Sequence, residues 1–184
     1  MKKIGTLNLF LFVISLLLAQ ESGIVTIPVS AEADVTARTV AAATEDNAPE
    51  LDIEILLRTL IVKTAQEYLG VPYKYAGITP EGFDCSGFIY FVYREAAGME
   101  VSRSSVGIWN SGKRIPLAQT LPGDVLVFTT IRAGASHVGI VLENGPQGIS
   151  FIHSASQGSE TGVIISNMNE QYYKTRFMGA RSYF

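Results

Sequence analysis

His137-Val-Gly-Ile-Val-Leu-Glu-Asn-Gly-Pro-Gln-Gly-Ile-Ser-Phe-Ile-His153 is the stretch that decides the fold. Two apolar β-type runs flank a cluster of turn residues, Asn144-Gly145-Pro146-Gln147-Gly148. The spacing predicts a hairpin centred on Gly145. His137 and His153 lie symmetrically about that centre, so the hairpin sets them directly opposite each other. Directly opposed Cβ atoms on one sheet face are about 4.5–5.5 Å apart. The even separation also puts both on one face, with Gly139, Phe151 and Ala155 as their substrate-facing companions.

Working outward, similar runs lie on both sides. Asp124-Val-Leu-Val-Phe-Thr-Thr precedes the hairpin; Gly162-Val-Ile-Ile-Ser and Phe177 to Phe184 follow it, with Gly134 and Gly158 as punctuation. Upstream the period changes. Ile53, Leu56, Leu57, Leu60, Ile61, Thr64, Ala65 and Tyr68 recur at three- and four-residue spacing, which predicts an amphipathic helix ended by Gly70 and Pro72. Residues 71–84 carry further Gly and Pro breakers and read as a loop. Asp84 is a suitable N-cap for a second helix over about Cys85–Ala97, closed by Gly98, with Phe88, Ile89, Val92 and Ala96 facing the core. Helices first, then strands with no helices between them, predict an α+β fold with N-terminal helices on a five- to six-stranded antiparallel sheet.

Before the first helix the chain has a different character. Met1-Lys2-Lys3 is a basic start, and Ile4 to Ala19 is uncharged and almost wholly apolar. That is the pattern of a secretory signal peptide, cut after Ala19 or after Ala31; an uncleaved anchor is the alternative, although the run is short for a span of about 20 residues. We take 1–31 as the signal, 32–50 as a flexible tether rich in Ala and Thr, and 51–184 as the folded domain. The expected location is the periplasm or cell envelope, with no stable membrane insertion once the signal is cleaved. No Cys lies near the signal, so a lipid-modified N-terminal Cys is not expected. The 14 basic and 17 acidic residues show no basic excess or stripe, which argues against nucleic acid as a partner.

One Cys and two His remain to carry chemistry. A single Cys excludes an intrachain disulfide and any Cys-rich zinc ribbon. Cys85 sits in the first turn of a helix, where backbone N–H groups and the dipole favour a thiolate and an oxyanion site, while the Asp84 carboxylate opposes a second anion. The small residues after it leave space for a substrate; the alternative is a buried structural Cys. Two facing imidazoles offer a base and its orienter, which with a thiolate gives the arrangement of a cysteine hydrolase. The alternatives are two surface histidines, or a Cys-His-His zinc site, whose spacing lacks the close-paired pattern of structural zinc.

Six stretches stand in order over about residues 60–184: Tyr68-Leu-Gly-Val-Pro-Tyr-Lys-Tyr-Ala-Gly-Ile, Phe83-Asp-Cys-Ser-Gly-Phe, Ser102-Arg-Ser-Ser, Leu121-Pro-Gly-Asp-Val-Leu-Val-Phe, His137-Val-Gly-Ile and Phe151-Ile-His-Ser-Ala. In these stretches and their order the chain resembles the NlpC family of cell-wall cysteine peptidases, which have a papain-like α+β fold. The tail from Gly162 to Tyr173 is most similar to the single-domain Spr-type murein endopeptidases. The family often has Gly-Gly where this chain has Ala76-Gly77.

The resemblance implies Cys85 as nucleophile, His137 as general base and His153 as the residue that orients the base. It places Tyr73 at the oxyanion or substrate, or as a loop anchor. Asp84 and Ser86 flank the nucleophile at the substrate site, with capping an equal use for Ser86. Arg103 is a candidate for a substrate carboxylate, or a surface charge. Asp124, after a Pro-Gly turn, reads as structural. The implied activity is endopeptidase cleavage in peptidoglycan stem peptides without metal or other cofactor. The bond is either γ-D-glutamyl–diaminopimelate or the D-alanyl–diaminopimelate cross-link. The rivals are a non-hydrolytic wall-binding module and an amidase or acyltransferase on the same scaffold. Uncontrolled wall cleavage is toxic, so a regulatory envelope protein is an expected partner.

Overall fold

A computed structural model describes residues 48–158 and 161–184. The expected signal peptide, 1–31, and most of the expected tether, 32–50, lie outside the described residues. The elements run α1 (Ala48–Glu67), β1 (Ile78–Thr79), β2 (Gly82–Phe83), α2 (Cys85–Ala97), α3 (Ser105–Asn110), β3 (Lys113–Ile115), a 3-10 turn (Leu117–Gln119), β4 (Val125–Phe128), β5 (His137–Gly145), β6 (Gly148–Ala155), β7 (Gly162–Asn167), α4 (Gln171–Lys174) and β8 (Phe177–Ser182). Six strands form one antiparallel sheet in the order β3-β8-β4-β5-β6-β7. This is the expected α+β architecture. Five details were not anticipated: the short strand β3, helix α3, the 3-10 turn, helix α4 between β7 and β8 where no intervening helix was expected, and a two-stranded hairpin, β1-β2, inside the expected loop.

Helix α2 has the predicted bounds because its ends are set by local chemistry. Asp84 is extended, and its side chain accepts from Gly87 N; Gly98 is left-handed at φ 63°, where its own N–H returns to the helix carbonyls. Phe88, Ile89 and Val92 are fully buried against Val125, Val127, Val138, Ile140 and Ile152 of the sheet. Each such side chain contributes about 1.5–3 kcal/mol.

Helix α1 starts at Ala48, three residues before the expected domain boundary at Leu51. Its buried stripe also differs from the predicted one. Ile61 and Ala65 are buried, but Ile53, Leu56 and Leu60 are exposed, and Arg58 is buried in their place. The reason is tertiary. The Arg58 guanidinium donates to Asp124 Oδ1 (2.9 Å), Pro122 O (3.0 Å) and Ser182 Oγ (3.2 Å), and it lies 4.2 Å from the centre of the Phe184 ring. Asp124 also accepts from Leu121 N at 2.7 Å, so it is a structural residue, as its turn position suggested.

The β5–β6 hairpin departs from the expected register. Its tip pairs Gly145 with Gly148, so the turn is centred between Pro146 and Gln147 rather than on Gly145. The register then shifts by one residue between Val141 and Glu143, a bulge at Leu142. Beyond the bulge Ile140 pairs with Ile152. Continued to the strand end, this register sets Gly139 across from His153, and His137 across from Ala155. The histidines are therefore diagonal neighbours, not direct opposites. Without the bulge, the alternation of side chains would send them to opposite faces. Phe151 and Ala155, expected to face a substrate, are instead buried in the sheet.

Candidate active site

Cys85 opens α2 on the helix-covered side of the sheet, seated over the start of β5. Its Sγ contacts Ser136 O at 4.0 Å, the carbonyl just before His137. Burial, with the Asp84 charge adding to it, pushes the thiol up to about 11 despite backbone N–H groups that favour the anion. The first turn of the helix, which favours the anion, is outweighed here by desolvation and by the Asp84 charge that opposes it.

The imidazoles are brought together. His137 Nε2 and His153 Nδ1 are 2.9 Å apart, with the ring planes near perpendicular at 89°. His153 is fully buried and His137 almost so. Both share the sheet face of Val141 and Phe151, away from α1 and α2. Burial pushes His137 down to about 4; burial and then the neighbouring His137 push His153 well down too. Both are neutral at pH 7 and share one proton across the gap. With Nε2 engaged, His137 has Nδ1 left as its basic atom. Among the described residues no hydrogen bond joins Sγ to either ring; the thiol reaches the carbonyl just before His137, while the two rings line a separate small cavity on the other face of the strand. Such contacts are commonly long in free enzymes and close with substrate.

Gly139 lets this pairing happen. A Cβ there would stand 2.6 Å from Phe151 Cδ2 and 3.2 Å from His153 Cβ. His153 is held in turn by Ser166 Oγ (3.1 Å) and Tyr173 Oη (3.2 Å), both at Nε2. Sequence reading passed over these two. Ser166 is diagonal to His153 across β6–β7, a register that no local signal announces.

The other predicted residues gather around Cys85. A cleft of about 840 Å³ is lined by Tyr73, Asp84, Cys85, Ser86 and Arg103, with Ile131 and Tyr75 standing exposed at its rim. Arg103 is not free for a substrate carboxylate. Its fork closes on Asp84, with Nη1 to Oδ1 at 2.8 Å and Nη2 to Oδ2 at 2.7 Å, and it also donates to Ser86 Oγ and Gly77 O. Asp84 therefore caps α2 and anchors Arg103 with one carboxylate. Tyr73 is pushed up by burial first and by Cys85 and Asp84 next, so it stays a hydroxyl and a donor.

The arrangement can support acyl transfer. A thiol, the candidate nucleophile, lies in a cleft beside the N–H groups of a helix start, and an imidazole, the candidate base, is held by a second one. Comparison with known proteins agrees. The model of the NlpC/P60 family matches residues 70–182. The probable peptidoglycan endopeptidase LytE of Bacillus subtilis (strain 168) is 41% identical over 123 residues, which cover 67% of this chain and 34% of that protein. The murein DD-endopeptidase MepS/murein LD-carboxypeptidase of Escherichia coli (strain K12) is 35% identical over 141 residues, covering 76% of this chain and 70% of that protein. The chain thus spans about a third of the length of the first and seven tenths of the second. The crystal structure of the NlpC/p60 domain of the peptidoglycan hydrolase SagA superposes with a TM-score of 0.56 at 30% identity, covering 68% of this chain and 97% of that one. By sequence match, fold and the set of residues gathered at its cleft, the chain belongs to the NlpC/P60 family of cysteine peptidases.

Proposed function

We propose that this protein is an exported endopeptidase that hydrolyses amide bonds in the peptide stems of peptidoglycan. The observation that carries the reading is the imidazole pair, 2.9 Å apart, on the strand that begins one residue after the carbonyl contacted by Cys85 Sγ. The activities of LytE, a probable peptidoglycan endopeptidase, and of MepS, a murein DD-endopeptidase, support the substrate class.

The chemistry runs in two halves. Sγ attacks the amide carbonyl carbon as His137 Nδ1 takes the thiol proton, forming a C–S bond and an oxyanion. The N–H groups of Cys85 and Ser86 and the Tyr73 hydroxyl are the donors for that oxyanion. The intermediate collapses with cleavage of the C–N bond, and His137 returns the proton to the leaving amine. Water, deprotonated by His137, then adds to the thioester carbonyl; the C–S bond breaks, the new carboxyl end of the product leaves, and His137 returns the proton to Sγ. His153 accepts from His137 Nε2 throughout, which stabilises the imidazolium. Because both groups start neutral, the base acts during attack rather than through a standing ion pair.

The bond is either γ-D-glutamyl–diaminopimelate within a stem or the D-alanyl–diaminopimelate cross-link. The name of MepS favours the cross-link. Mass spectrometry of products from purified sacculi tests both the class and the bond. Loss of cross-linked dimers with intact tetrapeptide monomers is the expected result. Shortened stems ending in D-glutamate would assign the γ-glutamyl bond instead. Cys85→Ala is expected to abolish release, and full lysis by that variant would sink the cysteine mechanism. Intact sacculi with either protein would move the reading to a wall-binding module.

A further inference from the structure

We propose that Ser166 and Tyr173 are positioning residues that hold the proton of His153 on Nε2, so that its Nδ1 faces His137 as an acceptor. The inference rests on the reading of His137 as general base and extends it by two hydroxyls.

The argument follows one proton at a time. For Nδ1 of His137 to accept the thiol proton, its Nε2 must carry hydrogen. That N–H points at His153 Nδ1, 2.9 Å away, which must then be a lone pair. His153 must therefore carry its own hydrogen on Nε2. Nε2 is fully buried with its ring, and a buried N–H without an acceptor is costly. Two oxygens meet it: Ser166 Oγ at 3.1 Å from β7 and Tyr173 Oη at 3.2 Å from α4.

The need sharpens in the transition state. Once His137 is an imidazolium, both its nitrogens are donors, and the alternative His153 tautomer would place N–H against N–H. Only the Nε2–H form survives, and only the two hydroxyls can receive it.

Among the described residues the ring's neighbours bring no competing charge to it. His137 faces His153 from β5; Phe151 stacks beside it from β6 at 5.0 Å between ring centres. Ser166 comes from β7 and Tyr173 from α4; Glu170, the cap residue of α4, acts on the phenol rather than on the ring. Burial above all keeps Tyr173 protonated, so it remains a hydroxyl through neutral pH.

The sequence contains two histidines, so the imidazole ¹⁵N–¹H correlation spectrum of the untagged protein shows two rings. Both are expected as Nε2–H tautomers at pH 7. In the Ser166→Ala/Tyr173→Phe double variant His153 is expected to move to Nδ1–H. Turnover of a soluble muropeptide should then fall about 10- to 100-fold in kcat with KM unchanged. Ser166→Thr keeps a hydroxyl and is expected to retain both the tautomer and kcat within about threefold. An Nδ1–H tautomer in the wild type overturns the proposal, and that measurement stands even where the double variant fails to fold. A double variant that keeps Nε2–H and full kcat overturns it as well. Activity retained by Cys85→Ala would instead defeat the functional reading and leave the tautomer result untouched.

Discussion

Ala76 is held at φ 59°, the left-handed region, where a side chain costs about 1–2 kcal/mol. It sits where the family often has glycine, beside Gly77, whose own Cβ would meet Gly82 O at 2.2 Å. Ala76→Gly is expected to stabilise the protein by up to about 1 kcal/mol, since glycine's greater unfolded freedom takes back part of the gain. A rise in the urea midpoint at constant slope would show it; no rise would mean that the loop relaxes around Ala76 at no cost. His137 gives a second prediction. Its folded value lies near 4 against an ordinary 6.5, so between those values the unfolded chain binds a proton that the folded one refuses. Stability should fall as pH drops through that window, by on the order of 1 kcal/mol per pH unit from His137 alone. Flat urea stability from pH 6.5 to 4.5 would show that the ring is not held neutral. Scarcity and position singled out Cys85, His137 and His153 as the residues to place, and the structure pairs the two imidazoles. The thiol's raised value was not, because desolvation is a property of the packed site.

At the scale of the element, α2 and α1 show opposite degrees of legibility. The ends of α2 were readable because Asp84 and Gly98 act within their own turns. The buried face of α1 was not, because Arg58 finds its partners 64 to 124 residues away in sequence, and hydrophobic spacing cannot register that. The Asp84 cap also sits beside Cys85, and its two effects can be separated. Asp84→Asn keeps an oxygen for Gly87 N but removes the charge that helps hold the Cys85 thiol up. Alkylation of Cys85 by iodoacetamide at pH 8 should accelerate in this variant. Asp84→Ala should accelerate it too, while costing about 1 kcal/mol more stability through the lost cap. Equal alkylation rates in wild type and Asp84→Asn would remove the charge from the account of the thiol.

At the scale of the whole molecule, the first described helix and the last residues of the chain are tied through one side chain. Arg58 joins α1 to the Asp124 turn, to Ser182 at the end of β8 and to Phe184. Arg58→Met leaves Asp124 buried without its cation and is expected to cost about 3–5 kcal/mol. Chemical denaturation measures this; a loss below about 1 kcal/mol would show that α1 is held by its apolar contacts alone. The α+β class was legible from the order of helices and strands. The insertion of β8 between β3 and β4 was not, because pairing between distant segments leaves no local mark.

The bulge at Leu142 also fixes where this chain tolerates added length. Residues inserted between Pro146 and Gln147 lie outside the ladder and leave the pairing of both strands unchanged. One residue added or removed inside the ladder, between His137 and Gly145 or between Gly148 and His153, turns one imidazole to the opposite side of the sheet. The hairpin tip is therefore a natural splice point, where a reporter domain or an affinity tag can be carried without disturbing the pair. The few residues on either side of it are a stretch where lengths count in twos.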